Sequence, residues 1–185
     1  AYTPRGQEAV VESGFPARKV TVFNNAVDVS AITESKKRVD PAAVRELRTT
    51  LVRGSRDVGV YVGGLYPQKR IAFLLEAARR IRQVLPDFNL VVIGGGTDAG
   101  LVRDFAGEHE WVHPVGPKFG DEKAALMALG SVMLMPGLVG LAVLDSFAYG
   151  TPMVTTDLPF HSPEIDYLQD GVFGRPVEVV GRTVL

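Results

Sequence analysis

Short runs of four or five apolar, largely β-branched residues recur along this chain, each separated from the next by a stretch with helical spacing. The clearest are Val58-Gly59-Val60-Tyr61-Val62, Leu90-Val91-Val92-Ile93, Trp111-Val112-His113-Pro114-Val115, Val132-Met133-Leu134-Met135 and Pro152-Met153-Val154-Thr155, with Lys19-Val20-Thr21-Val22-Phe23 as a weaker sixth. Strands that are apolar without alternation must be covered on both faces, and strands joined by helices run parallel. The pattern therefore predicts an α/β doubly wound parallel sheet, Rossmann-like. The best helix is Lys69 to Leu85, where Ile71, Leu74, Leu75, Ala78, Ile81, Val84 and Leu85 form one stripe. Shorter helices are expected at Arg5 to Ser13, Pro41 to Arg53, Asp98 to Ala106, Asp121 to Leu129, Gly140 to Tyr149 and Pro163 to Leu168. Asp28 to Asp40 reads as a surface loop, and its Lys36-Lys37-Arg38 run as solvated charge rather than a phosphate contact.

With 185 residues, 46% of them hydrophobic, the chain can bury one full core. A net charge of -1 removes any global basic field, so no nucleic-acid partner is expected. The absence of cysteine excludes disulfides, thiolate nucleophiles and sulfur-ligated zinc, and makes the cytoplasm the default location. No apolar run reaches the roughly 20 residues of a membrane span. The start Ala-Tyr-Thr-Pro-Arg, without an initiator Met, suggests a piece of something longer. His109, His113 and His161 lack ligand spacing, so no metal is expected, and no Ser-His-Asp or Cys-His order is present.

Ligands of a doubly wound sheet bind outside the carboxyl ends of the strands, so the residues that follow each run are the candidates. Gly63-Gly64 precedes Lys69 and Arg70, two cations placed where a helix's first turn prefers carboxylates. An anionic group held by Lys69, Arg70 and main-chain N–H groups would relieve that conflict, and a Gly-Gly turn with two solvated cations is the alternative. Gly94-Gly95-Gly96-Thr97-Asp98-Ala99 satisfies a G-x-G-x-x-A pattern, but the next strand ends in Pro114-Val115-Gly116-Pro117 without the acid a dinucleotide site needs. A glycine turn with Asp98 as helix N-cap is preferred there. After Met135 comes Pro136-Gly137-Leu138-Val139-Gly140-Leu141, then a helix apolar nearly all round in which Asp145 and Ser146 are the polar side chains. Asp145 is placed to accept ligand hydroxyls while the N–H groups of Val139, Gly140 and Leu141 face a phosphate; an internal ion pair is the alternative. Ser162 reads as an N-cap with Pro163 at the first helical position, and His161 as a surface or capping residue.

Several of these blocks, in order, resemble the carboxyl-terminal, donor-binding domain of retaining glycosyltransferases of family 4, which are built as two facing Rossmann-like domains in the GT-B arrangement. The matching segments are Phe23-Asn24-Asn25-Ala26-Val27-Asp28, Val62-Gly63-Gly64-Leu65 with Lys69, Pro86 to Gly94, and Leu134-Met135-Pro136 through Asp145 to Thr156. The similarity runs from about Val20 to Gly174. It implies that residues 1–18 are a remnant of a preceding domain or an interdomain helix, and that residues 19–185 bind a nucleotide-diphosphate sugar. It also implies roles for residues: Lys69 and the N–H groups of Val139 to Leu141 on the diphosphate, and Asp145 on the ribose, with Lys69 and Asp145 as the catalytic pair. Gly63, Gly64, Arg70, Gly94, Val115, Gly137 and Leu138 would complete the donor site. Two glutamates of the family flank its donor; the second corresponds to Asp145 and the first falls on Gly137. The phosphate-loop arginine is replaced by Gly64, and a usual asparagine by Phe173.

The resemblance thus implies transfer of a hexosyl group to an acceptor hydroxyl with retention, without a bound metal or cofactor, from a UDP-sugar in preference to a GDP-sugar. The acceptor would be a sugar or lipid-linked glycan of polysaccharide or glycolipid assembly, bound by an absent amino-terminal half, with peripheral contact at the inner face of a membrane. The chain alone is then expected to be inactive. Two alternatives are a sugar-nucleotide epimerase or phosphorylase of similar architecture, and a non-catalytic nucleotide-binding module.

Overall fold

The computed structural model describes residues 1–169 and 171 with their side chains and, beyond them, the backbone of strands at 174–177, 179–180 and 183–184. In chain order the elements are α1 (Pro4–Glu12), α2 (Val29–Arg38), α3 (Pro41–Val52), β1 (Val58–Val62), α4 (Ile71–Val84), β2 (Asn89–Ile93), α5 (Ala99–Glu108), β3 (Val112–Gly116), α6 (Gly120–Met127), β4 (Val132–Met135), α7 (Ala142–Tyr149), β5 (Met153–Thr156) and β6 (Gly174–Val177). A two-stranded antiparallel ribbon follows, β7 (Val179–Val180) with β8 (Thr183–Val184). Three 3-10 turns, Ala17–Lys19, Pro67–Lys69 and Pro163–Tyr167, punctuate the connections.

Strands β1 to β6 form one parallel sheet in the order β3-β2-β1-β4-β5-β6. The predicted fold class is therefore the observed one. Every residue of β1 and β2 is buried, as their unbroken apolar character requires. Helices α4 and α5 pack beside each other, and α6 packs against α2 and α3. The order has a direct consequence for ligand binding. The chain leaves β1 in one direction, through β2 to β3, then crosses back to place β4 on the other side of β1. The loops after β1 and β4 therefore diverge at one point of the sheet's carboxyl edge, the topological switch point where such sheets open a crevice.

Several expectations are corrected. Lys19–Phe23 is not a strand: a 3-10 turn occupies Ala17–Lys19 and no ladder follows, because this segment pairs with the start of the chain instead, through Ala1 N to Thr21 O (2.7 Å) and Gln7 Nε2 to Val20 O (2.8 Å). Asp28 to Asp40 is not a loop but largely α2, capped by Asp28, whose carboxylate accepts from Ala31 N at 2.9 Å. Its basic run lies at the helix's carboxyl end, where cations suit the macrodipole. There Arg38 makes a bidentate pair with Asp121 of α6, and Lys36 donates to Ala148 O of α7. Lys36, Lys37 and Arg38 are exposed, as solvated charge requires, and Arg38 and Lys36 also link three helices. Asp98 stands at the N-cap of α5 but makes no capping hydrogen bond. Ser162 likewise makes none, and the element it opens is a 3-10 turn. Strand β6 and the departure at Phe173 stand apart: the strand was not predicted, and Phe173 lies outside the described residues.

The glycine turns after β1 and β2 are pressed together. Gly63 N donates to Ile93 O, Leu65 N to Gly95 O and Asp98 N to Leu65 O. A Cβ at Gly94 would stand 1.9 Å from Gly63 O, a backbone atom already fixed by this ladder. Gly94→Ala is therefore expected to lower the unfolding free energy by more than ~2 kcal/mol in urea titration. Gly100→Ala, where nothing lies within 4 Å in a helix, should raise it by about 0.5 kcal/mol.

Candidate functional site

At the switch point the segment after β1 touches the loop after β4. Leu138 N donates to Gln68 O at 2.8 Å, and the Lys69 ammonium donates back to Leu138 O. The approach is close because Gly137 has no side chain: a Cβ there would lie 2.3 Å from the Lys69 carbonyl carbon and 2.4 Å from Gln68 O. Lys69 is 7% exposed, and among the described residues no carboxylate pairs with it. Burial lowers its pKa from the ordinary lysine value. An anion brought against Nζ would reverse that effect. The ammonium also sits 5.5 Å from the centre of the Tyr66 ring.

The loop's other end is held by His161. Its Nδ1 accepts from Val139 N at 3.0 Å, and its Nε2 donates to Thr156 O at 2.7 Å, which assigns the ring proton to Nε2. Ser162 N donates to Val139 O, and the buried Thr155 and Thr156 hydroxyls donate to Met135 O and Pro136 O. Fixed at both ends, the loop turns into α7 with Leu141, 47% exposed, at its N-cap. Among the described residues the N–H groups of Gly140, Leu141 and Ala142 have no acceptor. Free N–H groups at a helix start beside a buried ammonium form an anion-binding geometry.

Next to it, a cavity of about 360 Å³ opens over the ends of β1 and β2, floored by Gly63, Gly64, Gly94 and Gly95 and walled by Pro117, Lys118, Phe119 and Lys123. Lys123 Nζ lies 2.9 Å from Asp145 Oδ2, so the carboxylate predicted as a ribose acceptor adjoins the cavity through its partner. A larger cavity, about 700 Å³, lies around Arg53, Arg82 and Trp111 at the amino ends of the strands, away from this edge.

The structure thus brings together Lys69, Gly137 and Leu138 with the open N–H groups of Gly140 and Leu141. It groups Gly63, Gly64 and Gly94 in the adjoining cavity with Lys123, and through Lys123 with Asp145. Three expectations change. Val139 N–H is already donated to His161, and the open set begins one residue later. Lys69 ends a 3-10 turn rather than opening the long helix, and Arg70, in the left-handed region at φ 55°, stacks its guanidinium 4.4 Å from the centre of the Phe73 ring. Val115 packs against the core, and the described cavity is lined by its neighbours Pro117 to Phe119 instead. The internal pair that was the alternative for Asp145 is present, with one oxygen engaged. Lys123 and the clamping role of His161 were not expected. Both depend on partners distant in sequence, although the position of His161 beside the crevice was a usable signal. Among the described residues no group of three or more His, Cys, Asp or Glu is placed to hold a metal ion, and no helix is long and apolar enough to cross a membrane.

Residues 56–179 match the family model described as glycosyl transferases group 1. The chain is 28% identical over 169 residues to a glycogen synthase of Mycobacterium tuberculosis, an alignment covering 88% of this chain and 38% of that protein. It is 30% identical over 162 residues to a GDP-mannose-dependent alpha-(1-6)-phosphatidylinositol monomannoside mannosyltransferase of the same organism, covering 80% and 42%. Among solved structures it resembles Anabaena HepE in complex with UDP, with a TM-score of 0.74 and 18% identity over 96% of this chain and 49% of that one. It also resembles the catalytic domain of Starch Synthase IV from Arabidopsis thaliana bound to ADP and acarbose, with a TM-score of 0.65 and 15% identity over 96% and 42%.

The contact at Gly137 leads to a sharp expectation. Gly137→Ala must drive the loop from Gln68 and Lys69, since each atom its Cβ would meet belongs to backbone. Thermal and urea unfolding should show a loss above ~2 kcal/mol, and Gly137→Glu a loss at least as large. Unchanged stability in both would show that the loop yields freely.

Proposed function

The chain belongs to the glycosyl transferases group 1 family, and from that premise we propose that it is the donor-binding half of a retaining hexosyltransferase. It spans about two-fifths of the length of the curated relatives it matches, so the activity belongs to a longer protein. The observation that carries the reading is the convergence, at the switch point, of a buried ammonium, a row of open N–H groups and a half-buried carboxylate. Lys69 and the N–H groups of Gly140, Leu141 and Ala142 hold the donor diphosphate. Asp145 accepts the ribose hydroxyls, and the cavity floored by Gly63, Gly64 and Gly94 receives the base.

In the reaction the bond from the anomeric carbon to the diphosphate breaks, and the acceptor oxygen bonds to that carbon on the same face. The acceptor hydroxyl gives its proton to the departing phosphate oxygen as the nucleoside diphosphate leaves. Negative charge grows on the departing phosphate oxygens, where groups already oriented towards it stabilise the transition state most. Because Lys69 and the loop are held by hydrogen bonds before any donor arrives, little reorganisation is needed. The facing wall and the acceptor site, for a sugar or lipid-linked glycan, belong to the amino-terminal half, possession of which separates the full transferase from this chain. Residues 1–18 belong to that half or to its connection.

A UDP-sugar is the preferred donor over a GDP-sugar in this reading; the relatives and neighbours name GDP-mannose, UDP and ADP. A second reading, a nucleotide-binding module without transfer, draws on Gly137, where no side chain could be added to reach a donor sugar without displacing backbone. Thermal unfolding with UDP, GDP, ADP, their hexose conjugates and NAD, without added metal, tests both. One nucleoside diphosphate and its sugar conjugate should stabilise the chain selectively, by roughly 2.7 kcal/mol at 100 times the dissociation constant. Asp145→Ala should cut that shift sharply while leaving weaker, measurable binding through the diphosphate contacts. Stabilisation by the diphosphate but not by its sugar conjugate would favour the module, and stabilisation by NAD alone would overturn the family-based assignment.

A further inference from the structure

Lys123 lies on α6 and reaches two residues one helical turn apart on α7. Its ammonium is 2.9 Å from Asp145 Oδ2 and 5.6 Å from the centre of the Tyr149 ring. The far helix is itself braced, since Lys36 of α2 donates to Ala148 O and lies 6.0 Å from the same Tyr149 ring. The Lys123 and Asp145 side chains are only 17% and 18% exposed, and Lys123 is also part of the wall of the glycine-floored cavity. Lys118, the other lysine of that wall, is turned to Glu122 at 2.8 Å.

This arrangement divides the carboxylate's two oxygens. Oδ2 is engaged by Lys123, while Oδ1 has no partner among the described residues. A carboxylate free to rotate would present either oxygen in many directions. One anchored by a half-buried ammonium, which is in turn steadied against an aromatic face, presents a single acceptor in one direction. We propose that Lys123 is a positioning residue for nucleotide recognition, anchoring Asp145 so that its free oxygen accepts a ribose hydroxyl. The inference rests on the proposed donor site and assigns to it a residue outside the set read from the sequence. It also explains how an ion pair and a ligand-binding role coexist in one side chain: the pair is the support for the contact, not its competitor.

The test measures affinity for whichever of UDP, GDP and ADP the unmodified chain binds best, and for the 2′,3′-dideoxy form of the same nucleotide. Lys123→Met should weaken the ribonucleotide about tenfold or more and leave the dideoxy form nearly unchanged. It should add no further loss in an Asp145→Ala background, whereas Lys123→Arg should retain most of the affinity. Equal loss for both nucleotides, with losses that add in the double variant, would mean that Lys123 meets the phosphates directly and would overturn the positioning role. Unchanged ribonucleotide affinity in Lys123→Met would overturn it as well. Failure of the unmodified chain to bind any of the three nucleotides would instead overturn the donor-site reading beneath it. Circular dichroism and thermal unfolding of each variant separate these outcomes from loss of fold.

Discussion

The meeting of two backbones at the switch point, with no side chain between them, is the constraint on which the rest of the site depends. Sheet order sends the loops after β1 and β4 apart, and only a glycine at position 137 allows them to rejoin at Gln68 and Lys69. Leu138 is thereby caught between a hydrogen bond to Gln68 O and one from Lys69. The same geometry buries the ammonium and aims the following residues into α7. A side chain at 137 would gain a functional group and lose the cradle.

Charge follows from that packing. A buried cation without an acidic partner is costly, and here carbonyl and aromatic contacts offset only part of the cost. Asp145, a carboxylate of the site, is engaged by Lys123 instead. In the proposed site this leaves an anion-seeking locus beside an acceptor of hydroxyls, with separate cations serving each. Over β1 and β2 the glycine turns floor an open cavity, and Gly63, Leu65, Gly94 and Asp98 spend their N–H groups within the packed turns.

Much of this was legible in the sequence because buried parallel strands leave an unambiguous apolar signature. The strands from β1 to β5 and the stripe of α4 come from local periodicity alone, and the loops to search follow from the strands. What local patterns could not supply was pairing over distance. α2 was missed because its polar residues Thr33 to Arg38 show no apolar stripe; its place is set by Arg38 on Asp121 and Lys36 on α7. Lys19–Phe23 looked like a strand, yet it lies where no sheet edge reaches it. Asp145 stands out in the sequence by its isolation in an apolar helix, but its partner Lys123 sits on another element. Val139 was credited with a free N–H because the imidazole that takes it, His161, comes from beyond β5.

In the proposed function the loop after β4 and Lys69 hold a diphosphate. The most direct test of this reading is an amide NMR titration of the assigned chain with the nucleoside diphosphate that binds it. Saturable shifts are expected, concentrated at the amides of Gly140, Leu141 and Ala142, with smaller changes at Gly63, Gly64 and Gly94 and little at Val139. Shifts centred instead on Arg53 and Trp111, in the cavity at the opposite end of the strands, would contradict it.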